Sequence, residues 1–125
     1  MQNQETVVGN LHKEYLICKR GNVYVPMKCS ELFVFYVIAK VTFVKDKDGN
    51  KYTIESSLTA LEAQLDDKYF FRANRKVILN IDSIVEYKMV GYGKIAILLK
   101  DGDFKNHVIV SQVTAPHFKK WITAL

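Results

Sequence analysis

Short apolar runs, one of them over residues 23–27 with period-two alternation, are separated along this chain by polar turn residues, and helical spacing of three and four marks a stripe at Leu58, Leu61 and Leu65 and a face near the C-terminus. That pattern predicts strands joined by tight turns, with two short helices. Residues 15–18 read as a first strand, with Arg20-Gly21-Asn22 as its turn. In residues 23–27, Val23, Val25 and Met27 alternate with Tyr24 and Pro26. Proline cannot donate to a ladder, so this run belongs at a sheet edge. Residues 32–37 and 41–44 are rich in β-branched and aromatic side chains, which fit a pleated, half-buried surface. Ile38-Ala39-Lys40 is the turn between them. Asp46-Lys47-Asp48-Gly49-Asn50 is a hairpin signal, and residues 51–55 pair back.

Ser57 is placed as a helix N-cap, followed by the stripe Leu58, Leu61 and Leu65, and Asp66-Asp67 ends the helix. Residues 77–81 and 84–90 are strands, interrupted by Asp82-Ser83. Gly91-Tyr92-Gly93 turns the chain into a strand over 95–99, and Asp101-Gly102-Asp103 turns it again into a strand over 107–110. Pro116 suits the first turn of a C-terminal helix that carries Phe118, Trp121, Ile122 and Leu125 on one face. The expected fold is mainly β, with eight or nine antiparallel strands and two short helices. It forms one domain over residues 13–125. Residues 1–12 are polar and unpatterned, a flexible leader or the stump of a linker.

Composition adds little until charge is mapped along the chain. A hydrophobic content of 49% and a charged content of 25% are those of an ordinary globular domain, and 125 residues suffice for one core. The net charge of +5 is uneven: residues 1–71 carry nine Lys/Arg and nine Asp/Glu, residues 72–125 nine against four. An excess confined to one half suits a polyanion. Cys18 and Cys29 lie in apolar segments without zinc or redox spacing, which predicts free, half-buried thiols. No secretory leader opens the chain, and the apolar run over 32–44 is short and broken by Lys40, so a cytoplasmic location is expected. His12, His107 and His117 have neither metal-ligand spacing nor adjoining paired carboxylates, and no phosphate-binding glycine motif is present. Neither an enzyme nor a cofactor or metal is expected.

One segment carries the functional signal. In residues 70–80, Arg72, Asn74, Arg75 and Lys76 stand between Phe70-Phe71 and Val77-Ile78-Leu79, with no acidic residue among them. Arg and Asn are the side chains whose donors and acceptors match base edges and phosphates. The pattern Phe-x-Arg-x-(His or Asn)-Arg-x-x-(Ile/Leu)-x-Asn, met here from Phe70 to Asn80, resembles the signature of the LytTR family of bacterial DNA-binding domains. Further blocks follow the family's order. Upstream stand Leu32-Phe33-Val34-Phe35-Tyr36, Lys40-Val41-Thr42-Phe43, Asp48-Gly49-Asn50-Lys51-Tyr52, and Ser57-Leu58 with Leu61-Glu62 and Leu65. Downstream stand Asp101-Gly102, Val108-Ile109-Val110-Ser111 and Phe118-Lys119-Lys120-Trp121. Together they cover residues 15–125.

The resemblance implies an elongated β fold whose loops enter successive major grooves and bend double-stranded DNA, usually at paired direct repeats. A homodimer on DNA and a place as the output half of a response regulator follow from it too. A helix-turn-helix is not expected, because both helices carry apolar stripes to bury and neither is basic on a free face. Matched residue by residue, the implied reading surface is Lys40 beside Ala39, then Asn74, Arg75 and Lys76, then Ser111-Gln112. The family has Ser-Arg at that third place; Gln112 removes a charge but can pair bidentately with adenine. Arg72 is expected to be structural or to touch a phosphate, and Asn80 to satisfy local backbone groups. Two rival readings remain at this level. One is a single-stranded nucleic-acid module that stacks bases on exposed aromatics, against which Phe35, Phe43, Phe70 and Phe71 read as core. The other is a protein-interaction module using the β edge near Pro26.

Overall fold

Antiparallel hairpins form wherever the apolar alternation is interrupted by a turn, and they assemble into two sheets. In the computed structural model, which describes residues 12–100 and 107–124, the elements are β1 (Tyr15–Arg20), β2 (Val23–Lys28), β3 (Leu32–Ile38), β4 (Val41–Asp46), β5 (Lys51–Ile54), α1 (Leu58–Gln64), β6 (Phe70–Asn74), β7 (Val77–Asn80), β8 (Ile84–Val90), β9 (Lys94–Leu99), β10 (Val108–Val110) and α2 (Ala115–Thr123). Seven strands form one sheet in the order β2-β1-β5-β4-β3-β7-β6, and three form another in the order β10-β9-β8. Pro26 lies on an edge strand, opposite Ile17, as its missing N–H requires. All of the expected leader over residues 1–12 except His12, the turn Asp101-Gly102-Asp103 and Leu125 lie outside the described residues.

The centre of the large sheet is buried on both faces. Alternate side chains of β3 and β7 point to opposite sides, so Phe35 and Ile78 enter one core, while Val34, Val77 and Leu79 enter another. The first core is closed by Leu58, Leu61 and Leu65 of α1 and by Leu16, Cys18 and Val44. The second receives Ile95, Ile97 and Val110 from the small sheet and Ala115 and Phe118 from α2. Phe71 clamps α2, with its ring 5.1 Å from that of Trp121 and 5.5 Å from that of Phe118. Trp121 Nε1 donates to Asp67 O at 2.9 Å, joining α2 to the segment that follows α1.

Local chemistry sets the element ends. Ser57 Oγ accepts from Ala60 N at 3.1 Å, capping α1 as expected. The buried Asp46 carboxylate accepts from Asp48 N and Asn50 N at 2.9 Å and from Asn50 Nδ2 at 3.0 Å, and so shapes the β4–β5 turn. Gly49, at φ 85, supplies that turn's left-handed position. Asn80 serves local groups, accepting from Asp82 N at 2.9 Å, but its reach is also long, because Nδ2 donates to Leu32 O at 3.1 Å. It thereby locks the far end of β7 to β3.

Three expectations need correction. The described residues form ten strands, not eight or nine, because Phe70–Asn74, which takes in the first part of the basic turn read at Arg72, Asn74, Arg75 and Lys76, is itself a strand, β6. Arg72 and Asn74 interrupt the apolar alternation there, yet Phe70 and Ala73 are buried and the strand is an edge. Cys18 and Cys29 are buried outright, not half-buried. Finally, α2 does present basic residues on its free face, since Lys119 and Lys120 are exposed.

Burial pushes both thiols up to about 11 from 9.0; the charges of Cys29 and Asp46 add to the rise at Cys18, and Lys13 opposes it at Cys29. Each thiol is therefore neutral and sheltered near neutrality. A thiolate is disfavoured only in the folded state, so the stabilisation is intact below pH 9.0 and is lost as pH rises towards about 11. Iodoacetamide at about pH 8 should leave both thiols unmodified in the native protein and label both in urea. Labelling of the folded protein at the unfolded rate would show that the first core is open.

Candidate nucleic-acid interface

Register brings several turns to one end of the molecule. Ile38 pairs with Val41, which leaves Ala39 and Lys40 as a two-residue turn between β3 and β4. Both adopt positive φ, 51° and 66°, a backbone that normally selects Asn-Gly. The turn holds Lys40 exposed at its tip. Asn74 pairs with Val77, so Arg75 and Lys76 form the tip between β6 and β7, also exposed. Val37 N donates to Lys76 O at 3.1 Å and fastens this tip beside the first. Lys40, Arg72, Arg75 and Lys76 consequently line one shallow cleft, together with Ser57 and Thr59 at the start of α1.

The second tip is braced by its own polar side chains. Arg72 donates from Nε to Asn74 O at 2.8 Å and from Nη2 to Arg75 O at 2.9 Å, and its Nη1 meets Glu62 Oε1 at 3.1 Å. A planar guanidinium holds two successive carbonyls and Glu62 in one fixed fork, a geometry that the single rotating nitrogen of an ammonium does not reproduce. Asn74 is committed at both ends of its amide: Oδ1 accepts from Lys76 N at 2.8 Å, and Nδ2 donates to Ile109 O at 3.1 Å. Of the two roles expected for Arg72, this geometry favours the structural one. Asn74, expected as a reader, has both ends of its amide engaged within the protein, which also steadies the tip.

The bond from Asn74 leads directly to the third place. Ile109 lies two residues before Ser111, whose backbone oxygen accepts from Ala115 N at 2.8 Å as the chain turns into α2. Gln112 is exposed beside this turn. Its side chain rests on the β8–β9 turn so closely that a Cβ on Gly93 would meet Gln112 Cγ at 3.1 Å. The turn Gly91-Tyr92-Gly93, read from sequence as a plain hairpin connection, therefore belongs to the same surface. Its signal in the sequence was an aromatic between two glycines.

Most of the cations at this end are unpaired among the described residues. Lys40, Arg75 and Lys76 have no ion-pair or side-chain hydrogen-bond partner among the described residues, while Arg72 is paired with Glu62. Lys105 lies outside the described residues. Away from this end, the fold gives His12 acidic neighbours that sequence spacing did not: its ligand atoms and those of Asp66 and Asp67 lie within 4.8 Å of one another. His12 Nδ1 is 4.0 Å from Asp66 Oδ2, an exposed pair with no link to the basic tips. No helix among the described residues is long and apolar enough to cross a membrane.

The β scaffold thus gathers basic turns at one end. A solved structure of the LytTr DNA-binding domain of a methyl-accepting/DNA response regulator from Bacillus cereus shares this fold. The TM-score is 0.77 at 23% identity, over 89% of this chain and 98% of that one. The family model described as LytTr DNA-binding domain matches residues 22–123, and the chain belongs to that family of DNA-binding domains. No curated protein sequence matches it.

Since Arg72 braces the tip without standing at it, Arg72→Ala should lower stability by about 1–2 kcal/mol in urea unfolding, because two carbonyls lose a charged donor. Arg72→Lys should recover less than half of that loss. Equal stability of the Lys variant and the parent would remove the bridging role.

Proposed function

We propose that this domain binds double-stranded DNA in a sequence-specific manner, with the tips at Lys40 and at Arg75-Lys76, and the Gln112 turn, entering the major groove. The observation that carries the reading is the coupling of these turns, by the backbone bond from Val37 N to Lys76 O and by the Asn74 side-chain amide donating to Ile109 O, beneath cations that have no side-chain partner among the described residues. Arg75 is the base reader, its tip held by the Arg72 fork, and Lys40 and Lys76 hold phosphates. Gln112 reads a base through its amide. The chain acts as the DNA-binding portion of a bacterial transcriptional regulator in the cytoplasm, on paired direct repeats that seat two copies. The assignment to a response regulator rests on the likeness to the Bacillus cereus domain and on the family.

A second reading has one observation in its favour. By register, Tyr15, Ile17 and Tyr24 share the outer face of the β1–β2 hairpin, and all are about half exposed. Stacking of single strands on that face is the alternative. Its weakness is that Tyr24 already has Lys19 Nζ 5.4 Å from its ring centroid.

Selection of bound sequences from a random duplex pool tests the function and yields the site. Three or four phosphate contacts should give a log–log salt slope of about −3 on duplex. Arg75→Ala should cost about 1–3 kcal/mol of discrimination between the selected site and scrambled duplex, with a stability change below about 0.5 kcal/mol. Arg75→Lys should restore salt-dependent affinity but not base choice. Tighter binding to single strands than to duplex would favour the stacking face, and salt-indifferent binding would exclude both.

Gln112 generates a separate expectation. Gln112→Arg should move one selected position from A towards G and raise affinity for non-specific duplex. An unchanged selected site would reduce Gln112 to a connection into α2.

A further inference from the structure

We propose that the β8–β9 turn is a fourth contact to the duplex, in which Tyr92 packs its ring on a deoxyribose and donates its hydroxyl to a phosphate beside the base pairs read at Gln112. This rests on the DNA reading above and extends it to a segment that the basic pattern does not mark.

Three observations converge on Tyr92. It is 90% exposed, the most exposed large hydrophobic side chain among the described residues, so the fold gains almost nothing from its ring. Its backbone is left-handed at φ 61, a conformation that costs an aromatic residue energy and that Gly or Asn would adopt more cheaply. A residue that is both unburied and strained weakens the domain, and such strain clusters where a ligand is met. The third observation is location. The only other non-glycine residues with positive φ among those described are Ala39 and Lys40, at the first basic tip.

The link to the interface is physical. Val110 pairs with Ile95, and Met89 pairs with Ile95 from the other side, so the end of β10 and the β8–β9 turn lie together. Gly93 at φ 73 leaves the space that the Gln112 side chain fills. Whatever nucleic acid Gln112 touches will therefore meet the turn that Gln112 rests on. Lys94, exposed and next in the chain, adds a positive charge there. A neutral phenol among cations suits the sugar–phosphate strand: apolar against the sugar, a donor towards the phosphate.

The test uses the full chain and its selected duplex, with affinity and hydroxyl-radical footprints measured at one ionic strength for the parent, Tyr92→Ala, Tyr92→Phe, Tyr92→Asn and Arg75→Ala. Tyr92→Ala should weaken binding about tenfold and Tyr92→Phe about threefold, the loss of a ring contact and of one net hydrogen bond. The salt slope and the selected bases should stay as in the parent, because Tyr92 carries no charge and reads no base. Footprint protection should disappear at the flank beside the Gln112 base pairs alone. Tyr92→Asn should fold at least as stably as the parent and bind as weakly as the Ala variant, which separates contact from strain. Parental affinity and footprint for Tyr92→Ala would overturn the fourth contact while leaving the Arg75 reading intact. An Arg75→Ala variant that keeps full selectivity, beside a weakened Tyr92→Ala, would overturn base reading by Arg75 and uphold the turn. A parent that selects no duplex overturns both.

Discussion

The pairing of β3 with β7 is the constraint on which the rest of the molecule depends. Val34 lies opposite Leu79, Phe35 opposite Ile78 and Tyr36 opposite Val77, and successive pairs feed opposite cores. Slipping this register by one residue would send Phe35 and Ile78 into the space shaped for Val34 and Leu79, exchanging the contents of two cores at once. Neither face could tolerate the exchange, because α1 closes one and the small sheet with α2 closes the other. Asn80 adds a polar lock through Leu32 O at the end distant from the tips. Since β3 runs on into Ala39-Lys40 and β7 begins just after Arg75-Lys76, the same register sets the relative height of both basic tips.

That arrangement explains why residues that resemble readers serve as braces. A binding surface built on turns loses affinity to the entropy of ordering them, so the turns must be stiffened before the ligand arrives. Hydrophobic packing cannot do this at a solvated tip. Polar side chains can, and here the Arg72 guanidinium and the Asn74 amide are directed back to backbone groups of the turn and of β10. The basic cluster thus divides by geometry: Arg72 and Asn74 point inward, Arg75 and Lys76 outward. Sequence order alone does not separate the two pairs.

Much of the scaffold was legible because its causes are local. Apolar runs between turn signals, with period-two alternation at residues 23–27, located nine of the ten strands among the described residues; Ser57 and the leucine stripe located α1, and Pro26 located an edge. The strand that escaped, β6, did so because Arg72 and Asn74 occupy it for reasons lying outside the strand, namely two carbonyls in the turn and one on β10. His12 beside Asp66 was invisible for the same cause, since 54 positions of chain separate partners that the fold brings together. The family pattern indicated Lys40, Arg75 and Gln112 as surface residues at turns, which the fold exposes. What the charge pattern did not mark was the β8–β9 turn, because its place at that end comes from packing under Gln112.

Positive φ in this fold is distributed in a way that stability alone does not explain. Where a turn serves only to reverse the chain, as at Gly21 and Gly49, glycine takes the left-handed position and no strain accrues. At the interface end the positions with positive φ are Ala39, Lys40, Tyr92 and Gly93, and the one glycine is required there by the Gln112 side chain above it. Three side chains are therefore carried on a backbone that disfavours them, and all three are exposed. A left-handed residue reverses the chain within two or three positions, so its side chain projects from the extreme tip with no flanking loop to shield it. The local instability is tolerable because the paired strands beneath are fixed by two cores. Among the described residues the left-handed side chains thus stand at the turns proposed to meet DNA, while β3 and β7 supply side chains to both cores.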